Sequence, residues 1–146
     1  MDRTPERLTA KPSWLLTQLS VHAQRFTSEG FAAAEARGYH YRILAALAEF
    51  GPGSQAEIGR RCHMDRSDVV AAINELAEPG FVERTPDPGD RRRNIVTLTK
   101  AGERQLQRLD TALDQAQNEL LAPLPAEDRQ QLTRLLTRLL THHQKI

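Results

Sequence analysis

Residues 54–80 read SQAEIGRRCHMDRSDVVAAINELAEPG, and residues 81–98 read FVERTPDPGDRRRNIVTL. In the first stretch the apolar residues recur at the spacing of one helix face. In the second they alternate with polar residues, as they do along a half-buried strand. The change of period predicts two short helices joined by a tight turn and followed directly by a β-hairpin.

The first helix of the pair begins at Ser54, because Ser54 and Glu57 form the S-x-x-E pattern of a capping box. Ile58 and Cys62 then share its inward face. We interpret Cys62 as a core residue rather than a redox sensor, since buried thiols behave as small hydrophobic groups. It is the only cysteine, so an intramolecular disulfide is excluded.

The second helix follows a turn at His63-Met64, is capped by Asp65, and ends before Pro79-Gly80. Its apolar stripe predicts which side is buried, and this stripe consists of Val69, Ala72, Ile73 and Leu76. Because the second helix of such a pair fits the major groove of DNA, the residues off the stripe are predicted DNA contacts, with solvated surface as the alternative. They are Arg66, Ser67, Val70, Ala71 and Asn74.

The hairpin has predicted strands at residues 81–85 and 94–98, joined by turn residues 86–90. Arg91, Arg92 and Arg93 follow the turn and give the hairpin a basic tip. A basic tip can enter the electronegative minor groove of DNA, although a solvated run of charges is the alternative.

Helical segments flank this module on both sides. One begins at Pro12-Ser13-Trp14, a short one covers residues 39–49, and Thr99 caps a long helix that Pro123 and Pro125 end. The outer helices carry leucine stripes that a chain of 146 residues is too small to bury well. We therefore predict a helical dimer interface, the alternative being an intramolecular core alone.

The hairpin region contains G-F-V-E-R at 80–84, D-P-G-D-R-R at 87–92 and V-T-L-T at 96–99, and Gly102 completes an L-T-x-x-G pattern. These motifs resemble the multiple antibiotic resistance regulator (MarR) family. The resemblance extends from about Trp14 to Leu140. It implies a two-fold dimer that represses its own operon and is released by a small, often phenolic ligand. It also implies that Asp90 orients Arg92, which enters the minor groove.

The predicted fold is therefore mainly α with a small β-hairpin wing, a winged helix-turn-helix flanked by N- and C-terminal dimerisation helices. Residues 1–12 are a predicted flexible tail, 13–37 and 103–146 the dimerisation region, and 38–102 the DNA-binding domain. The predicted DNA-binding residues are Ser54, Gln55, Asp65, Arg66, Ser67, Val70, Ala71, Asn74, Asp90, Arg91, Arg92 and Arg93.

A ligand site is a further prediction for residues on the first two long helices. An aromatic wall with a histidine or arginine can hold an aromatic carboxylate. The alternative, of equal weight, is interface packing for Trp14 and surface or core roles for the other residues. The candidates are Trp14, His22, Tyr39, His40 and Arg42.

The function predicted from these patterns is a dimeric, cytoplasmic DNA-binding regulator, a repressor, whose partners are duplex DNA, a second copy and a small effector. A winged-helix protein-interaction module is the alternative, because the net charge is only +1 and residues 54–100 contain eight basic and eight acidic side chains. Ala71 also departs from the basic or polar reader common in the family. No catalytic motif, cofactor site, metal site or membrane segment is expected from the sequence.

Overall fold

The computed structural model describes residues 3–144. The elements in chain order are α1 (Glu6–Thr9), α2 (Pro12–Ala32), α3 (Gly38–Phe50), β1 (Gly53–Ser54), α4 (Gln55–Cys62), α5 (Arg66–Ala77), β2 (Val82–Asp87), β3 (Asp90–Leu98), α6 (Lys100–Leu120) and α7 (Ala126–His143). The mainly helical architecture with a small antiparallel wing confirms the predicted fold class. Residues 6–9 form a short helix within the segment predicted as a tail, and residues 1, 2, 145 and 146 of the predicted end regions lie outside the described residues.

The chain divides into two compact units. Residues 27–114 form one unit, and residues 1–26 together with 115–146 form the other. The boundary between the two units falls inside α2 and α6. The sequence predicted domain boundaries near residues 38 and 102, at the limits of the predicted DNA-binding domain.

The core of the 27–114 unit is built on the inward face of α5. Its stripe residues Val69, Ala72, Ile73 and Leu76 are all buried, as the sequence predicted. The helix packs against α3, α4 and β2. Further core residues come from α3, α4 and α6, and they include Ile43, Leu44, Leu47, Ile58, Cys62 and Leu109.

The ends of α4 are fixed by local backbone chemistry. The Ser54 hydroxyl accepts a hydrogen bond from the Glu57 N–H at 3.2 Å, which is one half of the predicted capping box. The Glu57 carboxylate pairs with Arg93 at 3.1 Å and Arg61 at 3.6 Å instead of returning to Ser54. His63 ends the helix with φ 54°, in the left-handed region, and this permits the tight turn into α5.

Asp65 occupies the N-cap position of α5, as predicted, without a capping hydrogen bond from its side chain. The carboxylate is exposed beside the first turn of the helix. Its negative charge still favours the positive end of the helix dipole.

The sheet has three antiparallel strands in the order β1-β3-β2. The predicted five-residue turn at 86–90 is wrong, since β2 continues to Asp87 and β3 starts at Asp90. The Asp87 carboxylate accepts the Gly89 N–H at 2.9 Å and so closes a two-residue turn. Because β2 is an edge strand, it tolerates Pro86, and the three arginines that follow the turn lie in β3.

A close backbone approach joins α6 to the base of the wing. Thr99 caps α6 by accepting the Gly102 N–H at 3.0 Å, and its own hydroxyl donates to the Gly80 carbonyl at 2.6 Å. The Thr99 N–H donates to the Phe81 carbonyl at 3.1 Å. A Cβ on Gly102 would overlap that same carbonyl oxygen. Only glycine therefore fits at position 102, the last position of the L-T-x-x-G pattern.

Cys62 is buried, and its thiol lies 3.5 Å from the Arg42 carbonyl, to which it donates. Burial raises the pKa of the thiol, while the nearby charges of Arg42 and Arg61 act in the opposite direction. The net upward shift favours the protonated, less nucleophilic form. This environment is the one expected for a core cysteine.

Gly102→Ala should lower the free energy of unfolding by about 1–3 kcal/mol, because the new methyl group must displace the Phe81 carbonyl. Gly38→Ala is the matched control. No atom lies within 4 Å of a Cβ built on Gly38, so alanine at the start of α3 should be neutral or stabilising. Thermal unfolding of both variants at one protein concentration measures the difference, and equal midpoints would contradict this account of the junction.

Candidate nucleic-acid interface

The outward face of α5 carries polar residues together with Val70 and Ala71. Because the stripe of Val69 and Ile73 is turned into the core, the residues on the opposite side must face solvent. Asp65, Arg66, Ser67, Ala71 and Asn74 are exposed, and Val70 is half-buried. The structure thus brings all six predicted contacts of this helix to one surface, most of them in its first two turns.

A groove runs from the start of α5 to the wing. Its volume is about 450 Å³, and four arginines line it without any carboxylate among the lining residues. These residues are Ser54, Gln55, Ala56, Arg60, Arg66, Arg92, Arg93 and Asn94. A groove of this charge attracts the phosphates of a nucleic-acid backbone.

Arg60 belongs to this arginine groove but was not among the residues predicted from the sequence. The adjacent pair Arg60-Arg61 in the last turn of α4 is the signal that could have identified it. The structure, unlike the sequence, shows that these two side chains have different surroundings. Arg61 donates to the Gly51 carbonyl at 3.1 Å, whereas Arg60 is exposed and lines the groove.

The three wing arginines differ in their surroundings. Arg93 pairs with Glu57 at 3.1 Å and lies 3.8 Å from an Asp87 carboxylate oxygen, so it ties the wing to α4. Arg91 and Arg92 are exposed, and no carboxylate of residues 3–144 pairs with either guanidinium. These two side chains are the ones available to an external anion.

Asp90 contacts the backbone of Arg92 rather than its side chain. The Asp90 carboxylate accepts the Arg92 N–H at 3.0 Å. This bond fixes the backbone from which the Arg92 side chain extends. The family resemblance implied that Asp90 orients Arg92, and the contact that the structure shows is with the main chain of Arg92.

Ser54 and Gln55 lie at the junction of β1 and α4. Ser54 is buried and its hydroxyl caps α4, so its side chain has a structural role. The half-buried Gln55 side chain accepts a hydrogen bond from Arg84 Nε at 3.1 Å. Arg84 also donates to the Asn74 side chain at 2.5 Å, and this link was not predicted from the sequence.

The acidic residue Glu75 is held on the α3 side of α5. His40 Nε2 lies 2.9 Å from its carboxylate, and the Tyr39 hydroxyl donates to the same oxygen at 3.2 Å. The Arg37 N–H donates to His40 Nδ1 at 3.0 Å, which places the ring proton of a neutral His40 on Nε2. Burial, followed by the Glu75 charge, raises the pKa of Tyr39. Glu75 therefore braces α5 against α3.

The predicted ligand residues do not share one cleft of the 27–114 unit. Tyr39 and Arg42 line a cleft of about 440 Å³ between α3 and α5. His40 lines a second cleft of about 200 Å³, together with Gln105 and Arg108 of α6. The half-buried Trp14 and the exposed His22 belong to the other unit.

The described residues contain neither a metal-binding cluster nor a membrane-spanning helix. Within the described range, no three histidine, cysteine or acidic side chains converge as metal ligands. None of the helices described here combines the length and apolar character needed to span a bilayer.

Comparisons with known proteins agree with this geometry. Residues 35–93 match the MarR family. The transcriptional repressor NicR of Pseudomonas putida is 26% identical over 140 residues, covering 96% of this chain and 89% of NicR. The family match spans the helix pair and the wing as far as Arg93, and the NicR match extends over nearly the whole chain.

Solved structures share the fold over nearly the whole chain. A probable transcriptional regulator from Pseudomonas aeruginosa is 29% identical, with a TM-score of 0.75 over 90% of this chain and 98% of that one. The PcaV regulator of Streptomyces coelicolor, in complex with its natural ligand, is 26% identical, with a TM-score of 0.70 over 94% and 97%. The matching family, relatives named as regulators and a shared fold lead to one conclusion: the chain belongs to the MarR family of DNA-binding transcription regulators.

Proposed function

We propose that a homodimer of this chain acts in the cytoplasm, binds a near-palindromic operator, represses transcription, and is released by a small aromatic acid. The observation that carries the proposal is the arginine groove between α5 and the wing, which joins Arg66 to Arg92 without a lining carboxylate. A protein-interaction module would not require such an arrangement. NicR, which resembles this chain along most of its length, is named a repressor.

The docking follows from the dimensions of duplex DNA. The first two turns of α5 enter the major groove, where Arg66 and Ser67 approach base edges. Arg92, extended from β3, enters the adjacent minor groove, and Arg60 contacts the backbone between them. The bond from Asp90 to the Arg92 backbone reduces the conformational freedom lost on binding.

The dimer is proposed from the apolar side chains that one chain leaves exposed on α2 and α7. Several leucines on these helices are between 38% and 57% exposed, which is unusual for a row of large apolar residues. They are Leu15, Leu16, Leu19, Leu135, Leu136, Leu139 and Leu140. Regulators of this family act as dimers. Packing these rows against a second copy would bury them and bring two recognition helices roughly 34 Å apart.

The effector site is proposed in the cleft of about 200 Å³ that His40, Gln105 and Arg108 line. An engineered cavity of about 150 Å³ holds a benzene ring, so a single-ring acid fits this volume. Arg108 supplies a guanidinium for the carboxylate, and because Glu35 and Glu75 also line the cleft, the carboxylate of the acid must lie on the Arg108 side. Leu76 and Pro79 at the end of α5 line the same cleft, so a ligand there would shift the recognition helix.

Arg92→Ala should weaken binding to a duplex from the DNA flanking the gene by roughly tenfold or more, because a charge-assisted contact is lost. The slope of log affinity against log salt should also fall by about 1. Arg104→Ala on α6 removes the same charge at an exposed residue that does not line the groove and should leave affinity unchanged. Equal affinities for both variants and the parent would contradict a role of Arg92 on DNA.

Leu136→Glu combined with Leu140→Glu should convert the dimer to monomers, because two carboxylates would be buried at the interface without partners. Gln130→Glu introduces the same side chain on the opposite side of α7 and should leave the dimer intact. Sedimentation equilibrium measures the mass of each variant. A doubly substituted protein that remains dimeric would place the interface elsewhere.

Benzoate and 4-hydroxybenzoate serve as probes of the effector site. Arg108→Gln should abolish the decrease in DNA affinity that such an acid causes in the parent protein, because the carboxylate loses its cation. Arg104→Gln, on the exposed side of α6 one turn earlier, should retain the decrease. The measured quantity is the ratio of affinities with and without the acid. A ratio unaffected by Arg108→Gln would exclude this cleft.

A further inference from the structure

We propose that Arg84 fixes the side-chain amides of Asn74 and Gln55 with their oxygens turned away from DNA, so that Asn74 reads a base only as a hydrogen-bond donor. The inference rests on the proposed binding of duplex DNA by α5. Arg84 is then a positioning residue that sets specificity through its neighbour.

The geometry comes from one planar group that connects three elements. Arg84 lies on β2, where it pairs in register with Val96 of β3. Its Nε donates to Gln55 Oε1 on α4 at 3.1 Å, and its Nη2 donates to Asn74 Oδ1 on α5 at 2.5 Å. A guanidinium has donors and no acceptor, so each amide must present its oxygen to it. Each amide nitrogen is therefore directed away from Arg84.

The charge on Arg84 strengthens this arrangement. Both partners are neutral amides, and within residues 3–144 no carboxylate forms an ion pair with the guanidinium. Arg93, by contrast, is paired with Glu57 and lies close to Asp87. The unneutralised charge of the half-buried Arg84 favours amide oxygen over amide nitrogen at both contacts. Rotation of the Asn74 amide by half a turn would place N–H groups against a cation.

The orientation of the Asn74 amide determines which bases this side chain can bind. An asparagine with both amide atoms available can bind adenine in a bidentate manner, donating to N7 and accepting from N6. With its oxygen turned to Arg84, Asn74 presents its amide N–H groups to the groove. Donors match both acceptors of guanine, O6 and N7, and the O4 of thymine, whereas adenine offers only N7 beside its amino group and cytosine offers only an amino group. Asn74 should therefore favour a keto base over an amino base at one position in each half-site.

The test uses the full chain and a pool of duplexes with a randomised core. The parent protein should select a keto base at one position of each half-site. Arg84→Met keeps an apolar stem and removes the donors, so the Asn74 amide can rotate. The keto preference at that position should then decrease by roughly fivefold, the worth of one hydrogen bond, while the preferences at other positions persist.

Two comparisons separate positioning from a direct phosphate contact. Arg91→Met removes a wing charge and should weaken all duplexes evenly, with a shallower salt dependence and an unchanged base preference. Asn74→Ala should remove the same keto preference as Arg84→Met. The double variant should show little additional loss, because the two residues act as one unit.

Several results would overturn the inference. Arg84→Met could weaken all sequences evenly, as Arg91→Met is expected to do, or Asn74→Ala could leave the keto preference intact. Parent protein that selects duplexes without such a position would refute the inference and leave the proposed function standing, whereas a parent that binds no duplex would refute both. Should Arg84→Met unfold, Arg84→Lys keeps the charge but not the planar pair of donors, and a retained full preference would contradict the proposal.

Discussion

Burial of one face of α5 is the constraint on which the rest of the structure depends. Val69, Ile73 and Leu76 are almost inaccessible to solvent, and α3, α4 and β2 surround them. Once this stripe is fixed in the core, the helical period determines which side chains face outward. The polar surface of Arg66, Ser67 and Asn74 is thus a direct consequence of apolar packing, and it needs no separate mechanism to orient it.

Different roles of the acidic and basic residues explain how a nearly neutral chain can present an interface for a polyanion. Glu57 is committed to Arg93 and Arg61, and Glu75 is hydrogen-bonded by residues of α3. These acidic groups bind other residues of the same chain and do not line the arginine groove. Charge counted along the sequence is balanced, whereas charge at the groove is positive. Local placement of charge, more than its sum, determines what such a surface attracts.

Local chemistry explains why much of the fold could be predicted from the sequence. The apolar stripe of α5, the cap at Thr99 and the turn at His63 depend on neighbouring residues, and the structure has each of them. The wing turn was predicted too long, because the side-chain bond from Asp87 to Gly89 closes the hairpin within two residues. Arg84 and its partner Gln55 are 29 residues apart, and no sequence period connects them. The sequence did not indicate those parts of the candidate site that consist of contacts between elements. The Arg84–Gln55 bond is one such contact, and the grouping of Arg60 with the wing arginines is another.

Protection of DNA from hydroxyl radicals, mapped on the region flanking the gene, tests the central claim most directly. A dimer with paired recognition helices predicts two protected half-sites related by a dyad, with centres about one helical turn apart. The minor groove that Arg92 enters should be protected beside each half-site. A single unpaired half-site, or protection without any dyad, would contradict the account.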